Sequence, residues 1–306
     1  MTLQVKNLTK SIQNKVVLEN VNIEFKTGEI VGLVGRNSVG LSTLLKTLTR
    51  RSKIDAGDVL YNGESIFVKT ELLQKINFTN ATWNFFSSNT LLQIAKTFEI
   101  AYPNFKTYSL LGQLEERGVP VEEKYSRLST GMQALFRVML GFATNAEYIL
   151  LDEPLNGIDT IWREEVIEVI RKEMAARKVG VVITSHHLNE LDLLADRIVI
   201  LRNRTVWHEY AHNELNEKAR KLQIVVRDED TDFSDIPGTV IEHEGHVFKI
   251  VFSEYADETH QKIEALNPIF YEFLSVTLDD LYHVTIDEGE VEDANDEYAN
   301  EKDDQE

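Results

Sequence analysis

The sequence has no cysteine, which excludes disulfide bonds and thiolate-bound metals and is typical of proteins kept in a reducing compartment. No run of apolar residues approaches the length of about 18 to 20 that a membrane-spanning helix needs. The first residues, MTLQVKNLTKSIQN, also lack the apolar segment of a secretory signal. We therefore expect a cytoplasmic protein that reaches a membrane only by docking onto another chain.

Positive charge is also scarce, with 32 Lys and Arg against 51 Asp and Glu and a formal net charge of -19. Lys and Arg form no dense run, which disfavours a nucleic-acid partner. Residues 287–306 hold eleven acidic residues and one Lys, with almost no aliphatic side chain. This composition predicts a disordered, solvated tail, and an acidic docking arm is the alternative interpretation.

Hydrophobic residues make up 42% of the chain, enough to build a core. The apolar runs YILLD and VGVVITS are separated by a helical pattern, which predicts parallel strands covered by helices. We predict an α/β fold of the P-loop type over residues 1–210, with a mixed sheet, an antiparallel β subdomain and a helical subdomain at about 80–142. A small α+β domain is expected at 211–286.

A glycine-containing run, GRNSVGLS, follows the predicted strand GEIVGLVG and precedes a helical pattern. It fits the phosphate-binding pattern G-x-x-x-x-G-K-[ST] everywhere except at Leu41, which stands where the lysine belongs. The main-chain N–H groups of such a loop surround phosphate whatever side chains it carries. The candidate nucleotide-binding residues are Gly35, Asn37, Ser38, Gly40, Leu41, Ser42 and Thr43.

Two carboxylates, Asp152 and Glu153, end the apolar run EYILLDE. Carboxylates at the end of a buried strand cost free energy unless they have a partner, and Mg²⁺ with an attacking water provides one. The alternative is that these carboxylates cap the helix that follows. His186 stands just past another apolar run, VVITS, where an ordinary polar residue is the alternative interpretation.

The run LSTGM begins a predicted helix, with Ser129 at a position where serine is a favoured cap. The positive end of a helix and its free N–H groups suit an anion. Gly131 in the first turn would allow close backbone approach. A cap without any ligand is the alternative interpretation of Ser129.

Taken in order, the P-loop, LSTGM, the carboxylate pair, NGID at 156–159 and His186 resemble the motifs of nucleotide-binding subunits of ATP-binding cassette (ABC) transporters. The resemblance covers about residues 1–210. LSTGM in place of the commoner LSGGQ is similar to cassettes of bacterial drug, bacteriocin and antimicrobial-peptide exporters.

The resemblance implies a role for each motif. Ser42 and Asp152 would hold Mg²⁺, while Glu153 would polarise the attacking water and His186 would contact the γ-phosphate of ATP. The signature residues would close over ATP bound to a facing subunit, because cassettes of this family dimerise head to tail. The implied partners are a second cassette and a membrane permease on the inner face of the membrane. The signature residues are Ser129, Thr130 and Gly131.

Four departures from the family pattern bear on the mechanism. Leu41 replaces the lysine, Ser38 replaces a usual glycine, and Ile12 stands where an aromatic ring stacks on adenine. No Gln stands at Asn80–Thr82, where the family has its metal- and water-sensing glutamine. Losing the lysine's hydrogen bond costs about 1.5–3 kcal/mol, or about 10- to 150-fold in affinity.

We therefore hypothesise that the chain has a weak nucleotide site of its own and completes the competent site of a second, intact cassette. Hydrolysis should suffer more than binding, because leucine cannot replace preorganised positive charge. A slowly hydrolysing homodimer is one alternative. A non-hydrolytic regulatory or self-immunity subunit that uses nucleotide only to dimerise is another.

Overall fold

The computed structural model describes residues 1–35, 39–81, 86–185, 188–211, 219–277 and 279–280. They belong to two compact units, Met1–Tyr210 and a second that begins at Ala211. Three of the candidate site residues and the predicted acidic tail lie outside the described residues: Asn37, Ser38, His186 and residues 287–306.

Strands dominate the first unit. In chain order they are β1 (Thr2–Ile12), β2 (Lys15–Lys26), β3 (Ile30–Val34), β4 (Ala56–Tyr61), β5 (Glu64–Ser65), β6 (Ile76–Asn80), β7 (Tyr148–Asp152), β8 (Gly180–Thr184), β9 (Arg197–Arg202) and β10 (Thr205–Ala211). The helices are α1 (Leu41–Leu48), α2 (Leu91–Ala101), α3 (Thr107–Glu116), α4 (Thr130–Ala143), α5 (Thr160–Ala176) and α6 (Leu188–Asp192). Short 3₁₀ turns occupy Thr70–Lys75 and Tyr125–Arg127.

The central sheet has six strands in the order β10-β9-β3-β8-β7-β6. Its neighbours from β9 to β6 pair in parallel. Strands β3, β7 and β8 are buried along their whole length, which explains why they read as unbroken apolar runs. Because parallel strands point the same way, their carboxyl ends meet at one edge, where α/β folds bind ligands.

A second sheet, β2-β1-β4-β5, is antiparallel. Asn62 and Gly63 join β4 to β5 with φ of 48° and 84°, the positive values that a tight hairpin turn requires. An Asn-Gly pair between two strands is the sequence pattern typical of such a turn. This sheet and the central one share a core with α1, whose Leu44, Leu45 and Leu48 are fully buried.

The helical subdomain contains α2, α3 and α4, where the sequence shows helical periodicity. Helix α2 begins with a capping box in which Thr90 Oγ1 accepts from the Gln93 N–H and the Gln93 side chain accepts from the Thr90 N–H. The predicted fold class, an α/β cassette core with antiparallel and helical subdomains, is confirmed.

Among its described residues, the second unit contains an antiparallel sheet in the order β12-β13-β11-β14 and the helix α7. Its elements are β11 (Arg220–Val225), β12 (Thr239–Glu244), β13 (Val247–Phe252), α7 (Asp257–Ala265) and β14 (Phe270–Leu274). Leu222, Ile250 and Ile263 are fully buried in its small core. Within the described ranges no helix combines the length and apolar character needed to cross a membrane.

Candidate functional site

Both glycines of the phosphate-binding loop are required by the backbone. A Cβ atom on Gly35 would lie 2.4 Å from Val39 Cγ1 and 2.9 Å from the Leu201 carbonyl oxygen. Gly40 has φ 107°, and a Cβ there would lie 2.8 Å from Leu18 Cδ2. The described parts of the loop therefore have the close packing and left-handed turn that glycine permits.

Helix α1 begins directly after Gly40, and no side chain caps it. The first intrahelical bond joins the Leu44 N–H to the Gly40 carbonyl at 2.8 Å, so the N–H groups before Leu44 have no acceptor within the helix. The helix dipole adds partial positive charge at the same end. Main-chain N–H groups thus give this helix start an affinity for anions.

Leu41 contributes no charge to that helix start. Its side chain is 8% exposed and packs in the core that α1 shares with the two sheets. The nearest cation along the helix, Lys46, lies exposed in the last turn. The first turn, Leu41 to Thr43, therefore offers hydroxyl and N–H groups only. Ile12, at the end of β1, is 45% exposed.

The Asp152 carboxylate lies at the tip of β7 and is 7% exposed. Its Oδ1 accepts hydrogen bonds from Ser42 Oγ and Thr184 Oγ1, both at 2.9 Å. No Lys or Arg among the described residues forms an ion pair with it. Among the described residues these two hydroxyls offset the cost of burying the charge, and the carboxylate is suited to bind a cation.

Glu153 turns the chain sharply at the end of β7. Its φ of 51° is left-handed, a conformation that costs a residue with a side chain about 1–2 kcal/mol. Its N–H donates to Thr184 Oγ1 at 3.0 Å, and its Oε2 accepts from Asn156 Nδ2 at 2.6 Å. Thr184 therefore holds both predicted carboxylate residues in place through one hydroxyl.

Sequence reasoning missed Thr184 and Asn156 as members of this cluster. Thr184 is a polar residue at the end of a fully buried apolar strand, and that contrast is the signal that could have identified it. Asn156 lies in NGID, three residues after the carboxylate that it contacts.

The oxygens of Ser42 and Asp152 suit Mg²⁺, which binds proteins through one or two carboxylates and takes its other ligands from phosphates and water. The described part of the chain contains no group of three His, Asp or Glu that could hold a metal. The cluster therefore fits a magnesium ion that arrives with a nucleotide.

The start of α4 is built differently from that of α1. Ser129 caps it, with Oγ accepting from the Met132 N–H at 3.2 Å. Ser129 and Thr130 are exposed, whereas Gly131 is buried against α5, where a Cβ would lie 2.3 Å from Trp162 Cγ. Within the described residues, no hydrogen bond or ion pair joins these three residues to the Ser42–Asp152 cluster.

Comparisons with known proteins agree on one family. Residues 18–156 match the family model described as ABC transporter. The ABC transporter ATP-binding protein YtrB of Bacillus subtilis is 28% identical over 286 residues, which is 92% of this chain and 96% of that protein. The bacitracin transport ATP-binding protein BcrA of Bacillus licheniformis is 28% identical over 226 residues, which is 72% of each chain.

Solved structures share the fold. A dimeric bacterial ABC transporter cassette superposes with a TM-score of 0.62 at 23% identity, covering 69% of this chain and 98% of that one. A post-hydrolysis dimer of such a cassette, bound to ADP and phosphate, gives a TM-score of 0.60 at 24% identity.

Proposed function

We propose that the chain is an ATP-binding cassette protein of the ABC transporter family and that it couples ATP at a cassette dimer interface to a separate membrane permease. The observation that carries the proposal is the placement of Ser42 and Asp152 at the uncapped start of α1. The helix N-terminus would bind the phosphates, and the two side-chain oxygens would hold Mg²⁺, which supplies positive charge against the phosphates when it is bound.

The chain's own nucleotide site is weak and the dimer is asymmetric. Leu41 places an apolar side chain where a charged hydrogen bond is needed, while Glu153 and its partners Thr184 and Asn156 remain in place. The exposed Ser129 and Thr130 are accessible to ATP bound on a facing cassette. A second cassette with an intact P-loop lysine therefore supplies the hydrolytic site that this chain completes.

A cleft of about 280 Å³ between α2 and the β6 side of the central sheet receives the permease. Phe98 and Tyr102 stack at 5.9 Å along one wall, and the Arg51 guanidinium lies 5.0 Å from the Phe78 ring on the other. Aromatic side chains and arginine are enriched at protein interfaces because they combine apolar area with hydrogen bonding.

The permease carries its cargo outward, and the cargo is a peptide or a drug. Two observations support this direction: the LSTGM form of the signature, and the similarity to a protein named for bacitracin transport. The second candidate function, a non-hydrolytic regulatory or immunity subunit, is favoured by Leu41 alone. ATP-dependent dimerisation without any turnover, with or without a second cassette, would identify it.

The experiment introduces Ala101→Arg, which places a long charged side chain in the cleft, into the full chain in its native cells. The matched control is Ile100→Arg, since Ile100 is 88% exposed on the same helix and does not line the cleft. We expect Ala101→Arg to move the chain from the membrane fraction to the soluble fraction, while the control stays with the membrane. Equal membrane association of both variants would contradict the cleft as the permease site.

A further inference from the structure

Glu190 is a buried carboxylate outside the Ser42–Asp152 cluster. It lies in α6 and is 5% exposed. Its Oε2 accepts a hydrogen bond from Ser185 Oγ at 2.8 Å, and its Oε1 lies 3.5 Å from Arg163 Nε. Burying a charge costs free energy unless partners offset the cost. These two contacts show which parts of the fold Glu190 joins.

The first contact leads to the candidate site. Ser185 directly follows Thr184, the last residue of β8. Thr184 Oγ1 donates to Asp152 Oδ1 at 2.9 Å and accepts from the Glu153 N–H at 3.0 Å. Because a planar peptide bond joins Thr184 to Ser185, holding Ser185 in place also restricts where the Thr184 hydroxyl lies.

The second contact leads to α5. Arg163 lies in the first turn of that helix, where its N–H donates to the Asp159 carbonyl at 3.0 Å. Trp162, the residue before it, packs against Gly131 in the first turn of α4. Helix α5 is therefore fixed to α4 at the level of Arg163. Glu190 thus joins the end of β8 to a helix that is itself held by its neighbour.

We propose that Glu190 is a positioning residue that clamps the end of β8 to α5 and so keeps the Thr184 hydroxyl where it orients Asp152 for Mg²⁺. The inference rests on the proposed nucleotide site. Hydrogen-bond partners that orient a metal ligand change metal affinity about 10- to 100-fold when they are removed. The two contacts of Glu190 act in series, so losing either one should release Thr184 as fully as losing both.

The test makes two measurements on the full chain. Amide hydrogen exchange of Glu153 without nucleotide reports the bond from its N–H to Thr184. Calorimetry with Mg²⁺ and with EDTA gives the ratio of the two ATP affinities, which is the factor by which Mg²⁺ tightens binding. We expect Ser185→Ala to speed the exchange of Glu153 and to lower the ratio about 10-fold, with the affinity in EDTA unchanged.

Arg163→Met removes the other contact while keeping a long side chain, and it should give the same loss. The double variant Ser185→Ala/Arg163→Met should lose no more than either single variant, whereas independent effects would add. Arg171→Met is the matched control. Arg171 lies on the same helix and donates to the Leu193 carbonyl just after α6 at 2.8 Å, so this change removes an arginine contact but leaves the partners of Glu190 in place.

Unchanged exchange of Glu153 or an unchanged ratio in Ser185→Ala would overturn the inference. Losses that add in the double variant would also overturn it, and so would an equal loss in Arg171→Met, because either result indicates a general loosening of the fold. If the unaltered chain binds no ATP in either condition while the exchange of Glu153 responds as expected, the proposed nucleotide site fails and the clamp stands. The two failures are thereby distinguished.

Discussion

At the scale of single residues, the proposed weak nucleotide site depends on Leu41. It occupies the first position of α1 and is buried in the core. Gly35 has no room for a Cβ, Gly40 has a positive φ, and Ser42 donates a hydrogen bond to Asp152. The proposed site therefore has main-chain donors at the start of α1 and no charged side chain at position 41.

Replacing Leu41 with lysine should restore that group. We expect Leu41→Lys to tighten Mg·ATP binding by about 10- to 150-fold, the equivalent of one charged hydrogen bond of about 1.5–3 kcal/mol. ATP turnover should rise by a larger factor, because the added charge also acts in the transition state. Calorimetry and a phosphate-release assay measure the two effects.

Leu41→Met is the control, since it conserves volume and adds no charge. A gain of the same size in both variants, or none in Leu41→Lys, would mean that the missing charge is not what weakens the site.

At the scale of elements, the packing of α4 against α5 gives Gly131 a structural role beside its place in the signature run. A methyl group on Gly131 would overlap the Trp162 ring. We expect Gly131→Ala to lower the free energy of unfolding by about 1–3 kcal/mol, as overpacked cores do. The cost should shrink in a Trp162→Ala background, and urea denaturation measures both.

Gly112 offers the comparison, because it lies in α3 with open space where its Cβ would be. Gly112→Ala should stabilise the chain by about 0.5–1 kcal/mol. If Gly131→Ala lowers the free energy of unfolding equally with and without the Trp162 ring, the predicted clash between residue 131 and Trp162 is wrong.

Elements with strong periodicity could be predicted from the sequence, and elements with mixed composition could not. The apolar runs of β7 and β8 predicted the right strands, because burial on both faces restricts which residues fit. The Asn-Gly pair indicates the turn between β4 and β5, because the positive φ values of that turn restrict its residues. Strand β6, INFTN, alternates apolar and amide residues inside a buried sheet, so nothing local identifies it. Its place beside β7 depends on the tertiary pairing of the two strands and not on its local sequence.

The candidate site at the sheet edge also combines local sequence patterns with contacts that depend on tertiary structure. The P-loop and the carboxylate pair are local patterns that the sequence displays. The bonds from Thr184 and Ser42 to Asp152 join residues 32 and 110 positions apart, which only the parallel topology brings together.

At the scale of the whole molecule, the second unit has its own stabilising pair. Lys221 Nζ lies 2.7 Å from Asp280 Oδ1, both side chains largely buried, and Thr277 donates two further bonds to Asp280. Burial alone would raise the pKa of Asp280, but these donors outweigh it and hold the pKa below its usual value. The pair thus stabilises the second unit at neutral pH.

Asp280→Asn leaves the Lys221 charge buried without its counterion and should cost about 3–5 kcal/mol. Because the folded pKa is depressed, the stability that Asp280 provides is present above its unfolded pKa of about 3.9 and is lost as the pH falls through the folded value. The difference in the free energy of unfolding between the unaltered chain and Asp280→Asn should stay constant from pH 7 to about 5. Below pH 5 this difference should shrink. Amide hydrogen exchange of β11 and β13 at several pH values measures it, and a difference that grows on acidification would contradict the assignment.

The cassette dimer provides a further test at this scale. If this chain completes a partner's site, Ser129→Arg should lower the ATPase rate of a mixture of this chain with an intact second cassette. We expect a loss of about 100-fold, because removing one preorganised hydrogen-bond donor from an active site has an effect of this size. Ser126→Arg, at another exposed serine just before α4, should leave the rate unchanged. A partner indifferent to Ser129→Arg would exclude the asymmetric arrangement.

The most direct measurement is a calorimetric titration of the unaltered chain with Mg·ATP up to millimolar concentration, alone and with a second cassette whose own site is blocked. If main-chain N–H groups, Ser42 and Asp152 suffice to hold a triphosphate without a lysine, the chain will saturate in that range. No detectable occupancy under either condition would contradict the proposal that this chain works as a nucleotide-driven transporter subunit.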